Sequence, residues 1–298
     1  MQFMTDEHTS REQGQVNARH NKIASAINKL KSLHNTGEGI VEVVSFGSVA
    51  IPALRAVLFE REPSGLHETR CRAIDALSAL RAHDVLIEYL SEPHAAANPM
   101  ERLGDDTVIG YAAWAVARTR QERVFSLLLR LAQRPALNGV IGALGTFGRP
   151  EAIPALILAL EEDVSRNIAQ FMLRRMGSAA QNALVSSALE SLPSADCESE
   201  SSLRRRRTSL SLLIEIRLTP DALPKLKNLM WDKDEKVAIL ACKLRLKHMP
   251  AGERGDAVDR LSSLLPHVGW MLREEIETSL ASARSTFGSH ARPTGDPR

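Results

Sequence analysis

A chain of 298 residues with 44% hydrophobic and 25% charged residues is long enough to bury a large core and has an ordinary globular composition. Its formal charge of +2 excludes a strong global field, and 4% aromatic residues leave the core to Leu, Ala, Ile and Val, which suits closely packed helices. Cys71, Cys197 and Cys242 form no C-x-x-C pair and argue against a disulfide framework, so a reducing, bacterial-type cytoplasm is the expected setting. The opening Met1–His8 has no basic n-region or apolar h-region, and no apolar run reaches the length of a membrane span.

In chain order, residues 1–20 are polar and are expected to form a disordered tail. From Asn21 to Leu33, Ile23, Ala26, Ile27 and Leu30 recur at helical spacing, a helix fit to cap an array of helices, and His34-Asn35-Thr36-Gly37 stops it. Helix pairs come next. The first helices are expected to begin near Val49, His83, Glu122, Pro150, Ala179, Pro220 and Asp256. Second helices align on Arg70, Ile109, Leu137, Arg166, Arg206 and Ala238, each followed by small residues such as Ala73, Ala76, Ala112, Ala115 and Ala169. Small side chains let neighbouring helices approach closely. Pro52, Pro154 and Pro224 fall early in first helices, where a missing N–H costs nothing, and Gly148 and Gly177 close second helices. Residues 285–298, with Gly288, Pro293, Gly295 and Pro297, are expected to be a disordered tail, leaving 21–284 as one repeat domain.

One pattern recurs almost letter for letter. Ala50-Ile51-Pro52-Ala53-Leu54 is followed by Arg70, Ala73 and Leu77; Ala152-Ile153-Pro154-Ala155-Leu156 is followed by Arg166, Ala169 and Leu173. Self-similarity at a period of roughly 30–40 residues is the mark of a helical-repeat array. The stretch Leu144–Leu156, continued by Ser165-Arg166 and Met176-Gly177, resembles the HEAT repeats of phycobilisome-lyase-like proteins. The resemblance covers about residues 40–250. It implies an all-α, right-handed α-solenoid of about seven HEAT-like helix pairs with the second helices lining the concave face.

Two insertions interrupt the period, Ser91–Gly104 and Leu192–Ser202, both between the two helices of a pair, and both are expected as surface loops. Cations concentrate on three neighbouring second helices. Arg174, Arg204, Arg205, Arg207 and Lys243 are the candidate partner-binding residues, an anion-facing patch for a protein with an acidic segment. Arg206 is set apart because the repeat's arginine position, shared with Arg70 and Arg166, implies pairing with acids between repeats. The acids Asp196, Glu198 and Glu200 stand directly before the arginine run and are expected to fold back over it.

No catalytic residue, metal ligand or cofactor is expected. His67-Glu68 resembles one of the HE dipeptides of HEAT-fold deoxyhypusine hydroxylases, which need four such pairs to hold a di-iron centre; this chain has one. HEAT-like alkylpurine DNA glycosylases need a carboxylate and aromatics in a basic groove. Trp114 reads more simply as core, and Trp231 with Asp232 and Asp234 is an incomplete set. The expected function is a non-catalytic protein-binding scaffold or adaptor, no enzyme, working away from membranes. The alternative is a nucleic-acid-binding HEAT-like protein, with a DNA base-repair glycosylase as its catalytic form.

Overall fold

The computed structural model describes residues 18–32, 36–194 and 197–288. Contacts divide the chain into two units, one up to Phe147 and one from Gly148. The first unit holds α1 (18–31), α2 (Thr36–Ser45), α3 (Ile51–Phe59), α4 (Glu68–Ala79), α5 (His83–Ser91), α6 (Pro99–Ala117), α7 (Glu122–Leu131) and α8 (Asn138–Thr146). The second holds α9 (Ile153–Leu158), α10 (Arg166–Met176), α11 (Gln181–Leu189), α12 (Glu200–Glu215), α13 (Ala222–Leu226), α14 (Glu235–His248), α15 (Gly255–Leu264) and α16 (Trp270–Gly288).

In each unit the helices fall into two layers. First helices touch the next first helix, as α3 does α5 and α11 does α13; second helices pack on second helices, as α4 on α6 and α12 on α14. The pairs α3/α4 through α15/α16 number seven, and the fold is all-α as expected. Among the described residues the one strand pairing is a short antiparallel ribbon, β1 (Pro193–Ser194) with β2 (Cys197–Glu198). The expected tails lie outside the described residues at 1–17 and 289–298; residues 18–20 and 285–288 are helical.

Local chemistry explains the elements. A 3-10 turn, Gly47–Ala50 or Pro150–Ala152, runs into α3 or α9 with proline in the first turn. Leu54, Val57 and Leu58 of α3 are buried against Ala73, Ile74 and Leu77 of α4, and Ala169 is fully buried in α10. Ile23, Ala26, Ile27 and Leu30 are buried as the cap required. Burial also separates the thiols: Cys71 is pushed up to about 11 and Cys242 to about 12, whereas Cys197 lies exposed on the ribbon.

The structure departs from expectation at three places. The first helix ends at residue 31, ahead of the expected stop, but a second helix not expected from the sequence, α2, begins at Thr36 inside that stop; its two glycines and β-branched run have poor helix propensity, and packing on α4 overrides it. The first insertion is half helix. Asn98 caps α6 by accepting from the Glu101 N–H at 2.9 Å, Pro99 fills the first turn, and the Glu101 carboxylate accepts from the Ala97 N–H at 2.7 Å. The second insertion folds as the ribbon, closed by Ser199, whose side chain accepts from the Ser202 N–H.

Helices α6 and α8 cross backbone to backbone at Gly110 and Gly139. A Cβ added at Gly139 would lie 2.4 Å from the Gly110 Cα. Gly139→Ala should therefore destabilise the protein by about 1–3 kcal/mol in urea unfolding, as overpacking does; unchanged stability would mean that α6 and α8 part without cost.

Candidate functional site

The expected basic patch is a ladder of ion pairs within the second unit. Arg204, Arg205, Arg206 and Arg207 follow the first turn of α12, and each meets acids. Arg204 pairs with Asp163 at 3.0 Å. Arg205 pairs with Glu161 at 3.1 Å and Glu190 at 2.9 Å. Arg206 pairs with Glu198 and Asp232, both at 2.5 Å, and Arg207 pairs with Asp234 at 2.6 Å. Arg174 chelates Glu215 on α12, and Lys243 shares Glu275 of α16 with Lys236.

A partner-facing role does not fit Arg205, whose side chain is 6% exposed and whose Nη2 donates to the Glu190 carbonyl. Arg174, Arg204, Arg207 and Lys243 stay partly exposed, each already bound to an acid of this chain. The expected fold-back of acids is present for Glu198, on Arg206, and Glu200, 3.4 Å from Arg207; Asp196 lies outside the described residues.

Arg206 repeats what Arg70 does in the first unit. The Arg70 Nε donates to the Leu58 carbonyl of α3 at 2.9 Å, and its Nη2 donates to the Tyr89 hydroxyl and to Asp105. The Arg206 Nε donates to the Ala188 carbonyl of α11 at 2.9 Å and its two Nη groups hold Glu198 and Asp232. Each guanidinium thus satisfies a carbonyl at the end of its own first helix and reaches an acid beyond it. Arg166 departs from this pattern and pairs with Asp163 at 2.9 Å. Burial acts to raise the Asp105 carboxyl, but hydrogen bonds from His94 and Arg70 outweigh it and hold the group well below the ordinary carboxylate range. Asp234 and Glu275 are likewise lowered, burial being outweighed by Arg207 at Asp234 and by Lys236 and Lys243 at Glu275.

Among the described residues, five of the cations whose side chains make no ion pair or hydrogen bond stand at the ends of second helices. Arg81 and Arg118 follow the last turns of α4 and α6; Arg175, Arg217 and Lys247 stand at or just past the ends of α10, α12 and α14. All five are exposed. Large aromatic side chains accompany them. Tyr111 is 42% and Trp114 40% exposed on α6, and Phe171 is 48% exposed on α10 with the Arg175 guanidinium 5.8 Å from its ring. Trp114 is therefore a surface residue and not core. With Asp75, Ser78, Arg81, His83 and Arg118 it lines a cleft of about 540 Å³ in the first unit. The sequence signal for these cations was positional, one basic residue closing each of several second helices, and charge density along the chain hid it.

Other candidate chemistry is accounted for locally. The His67 ring Nδ1 lies 3.2 Å from the Gly65 carbonyl oxygen, and the Glu68 carboxylate accepts from the His67 N–H. Among the described residues no group of three or more His, Cys, Asp or Glu is placed to hold a metal ion. Asp232 and Asp234, beside exposed Trp231, are held by Arg206 and Arg207. Among the described residues no single helix is long and apolar enough to cross a membrane.

Layered helix pairs, two of them tied by an arginine-to-carbonyl contact, make this an all-α helical-repeat fold. More particularly, residues 139–162 match the PBS lyase HEAT-like repeat, the type that the sequence resembles. No curated protein matches the chain. Among solved structures it is similar to human deoxyhypusine hydroxylase in complex with glycerol, at 14% identity and a TM-score of 0.33, over 91% of this chain and 99% of that one. That neighbour is an enzyme, so the expectation of no enzyme is corrected: repeats of this kind do not by themselves exclude catalysis. At that TM-score the likeness assigns this chain no activity.

Two outcomes test the ladder. Arg206→Ala leaves two partly buried carboxylates and a helix-end carbonyl without their donor and should cost about 2–4 kcal/mol in chemical unfolding, while Arg174→Ala, an exposed pair, should change stability by under about 1 kcal/mol; equal effects would refute the distinction. Because the folded Asp105 group is lowered, its stabilisation is complete above the ordinary carboxylate range, near pH ~4, and is lost as pH falls through the folded value. Stability measured between neutral and strongly acid pH should drop at the acid end, and Asp105→Asn, weaker at neutral pH, should show a shallower drop.

Proposed function

We propose that this chain is a binding scaffold whose second-helix surface receives a partner protein through an acidic segment. The observation that carries the reading is the coincidence of unpaired cations with exposed aromatics at the ends of second helices: Arg81 and Arg118 with Tyr111 and Trp114 in one unit, Arg175 with Phe171 in the other. Aromatic and arginine side chains are the residue types that anchor protein interfaces. Free guanidinium donors attract carboxylates without first breaking an internal pair. The ladder arginines, by contrast, would have to exchange one acid for another.

Reversing Arg175, Arg217 and Lys247 to Glu should reduce capture of the partner co-purified from native extract by about tenfold or more with melting temperature nearly unchanged, since exposed charges add little to folding. Capture that survives this triple reversal but is lost on reversing Arg204 and Arg207 would return the site to the ladder. A second reading, single-stranded nucleic acid, is favoured by Trp114 and Tyr111 beside free arginines, a stacking platform with backbone-binding charge. A steep fall of oligonucleotide affinity with added salt would decide for it.

A further inference from the structure

The cleft in the first unit has the features of a built anion site. Its one carboxylate is already engaged: the Tyr111 hydroxyl donates to Asp75, at 3.0 and 3.1 Å from its two oxygens. That bond fixes the Tyr111 ring, while Asp75 keeps its charge and neither Arg81 nor Arg118 forms an ion pair with it. Two further polar atoms of the lining, the Ser78 Oγ and the His83 Nδ1, are buried and have no hydrogen-bond partner.

The backbone adds an independent observation. Helix α4 ends in a Schellman turn, with the Ala82 N–H bonded to the Leu77 carbonyl and the Arg81 N–H to the Ser78 carbonyl. The residue at its left-handed position is Arg81, φ 56°, as Arg120 is after α6, whereas α8 and α10 are followed by glycine at their positive-φ positions, Gly148 and Gly177; of the two arginines, Arg81 lines the cleft. A side chain held in this strained conformation is a recurrent feature of ligand clamps.

We propose that this cleft binds a phosphomonoester attached to a flat ring, with Arg81 and Arg118 holding the phosphate oxygens and the exposed Trp114 indole stacking on the ring. Two guanidinium forks match a dianion with three terminal oxygens better than a carboxylate, whose single charge leaves one fork unneutralised. A cleft of about 540 Å³ is of small-ligand size. The same chemistry is offered by a free aryl phosphate and by a phosphotyrosyl side chain. The inference does not need the partner-protein reading, although it shares two cations with it.

The test uses the full chain with Trp231→Phe and Trp270→Phe, both exposed positions, so that Trp114 is the remaining tryptophan. Phenyl phosphate should change its fluorescence saturably, and phenylacetate and phenol should bind about tenfold more weakly or worse. Arg118→Ala should weaken phenyl phosphate by about tenfold or more, the worth of a charged hydrogen bond. Arg81→Gly should do the same with an equal or higher melting temperature, because glycine adopts the turn freely. Retained fold with lost binding excludes misfolding as the cause. The Arg175, Arg217, Lys247 reversal should leave phenyl phosphate binding unchanged, which separates this site from the partner surface. A phosphotyrosyl peptide that binds markedly more tightly than phenyl phosphate identifies a protein side chain as the source; equal affinity identifies the free ester. No saturable change, equal binding of phenylacetate, or unaltered affinity in both arginine variants would overturn the proposal.

Discussion

The organisation of both units depends on one contact: a buried guanidinium on a second helix that satisfies a carbonyl at the end of the preceding first helix. Arg70 and Arg206 make it with the same atom, Nε, at the same distance of 2.9 Å. The carbonyls that end a helix have no partner within it, and burying them unpaired is costly. An arginine can serve them and still spend its other donors on acids further along. That is why the guanidinium is both a cap within one pair and a tie to the next: Asp105 belongs to α6 and Asp232 precedes α14.

This double duty reorganises the electrostatics. The run Arg204–Arg207 looks like a strong positive surface when charges are counted along the chain, yet in space it is neutralised by Asp163, Glu161, Glu190, Glu198, Asp232 and Asp234. Part of the charge left over for recognition comes from cations that end second helices, Arg81, Arg118, Arg175, Arg217 and Lys247, where the dipole already favours them and no acid is required. Counting charge along the chain therefore locates the structural ladder, and it does not find the free cations at the ends of second helices.

Much of the fold was legible because it is periodic. The AIPAL pattern, the early prolines and the Arg-to-Ala spacing identified the helix pairs, and the buried Leu54, Leu58 and Ala169 sit where periodicity places them. Helix α2 was not legible, since two glycines and a β-branched run speak against a helix that packing on α4 nonetheless enforces. The site was legible in residue type and not in place. Acidic partners for Arg204 and Arg207 come from Asp163 and Asp234, far from them along the chain, and no local pattern announces them. Trp114 was misread because an alanine-rich helix is usually interior; three of its neighbours, Ala112, Ala113 and Val116, are indeed fully buried, while the indole itself points outward.

The two insertions occupy the same joint, between the first and second helix of a pair, and each became useful structure. One lengthens α6 and places Asp105 against Arg70; the other forms the ribbon that places Glu198 against Arg206. Growth at this joint adds chain without shifting the register of the neighbouring pairs, because extra loop length costs little closure entropy. An acid carried by extra chain at this joint can therefore tie a buried arginine in place while the packing of the pairs on either side stays as it is.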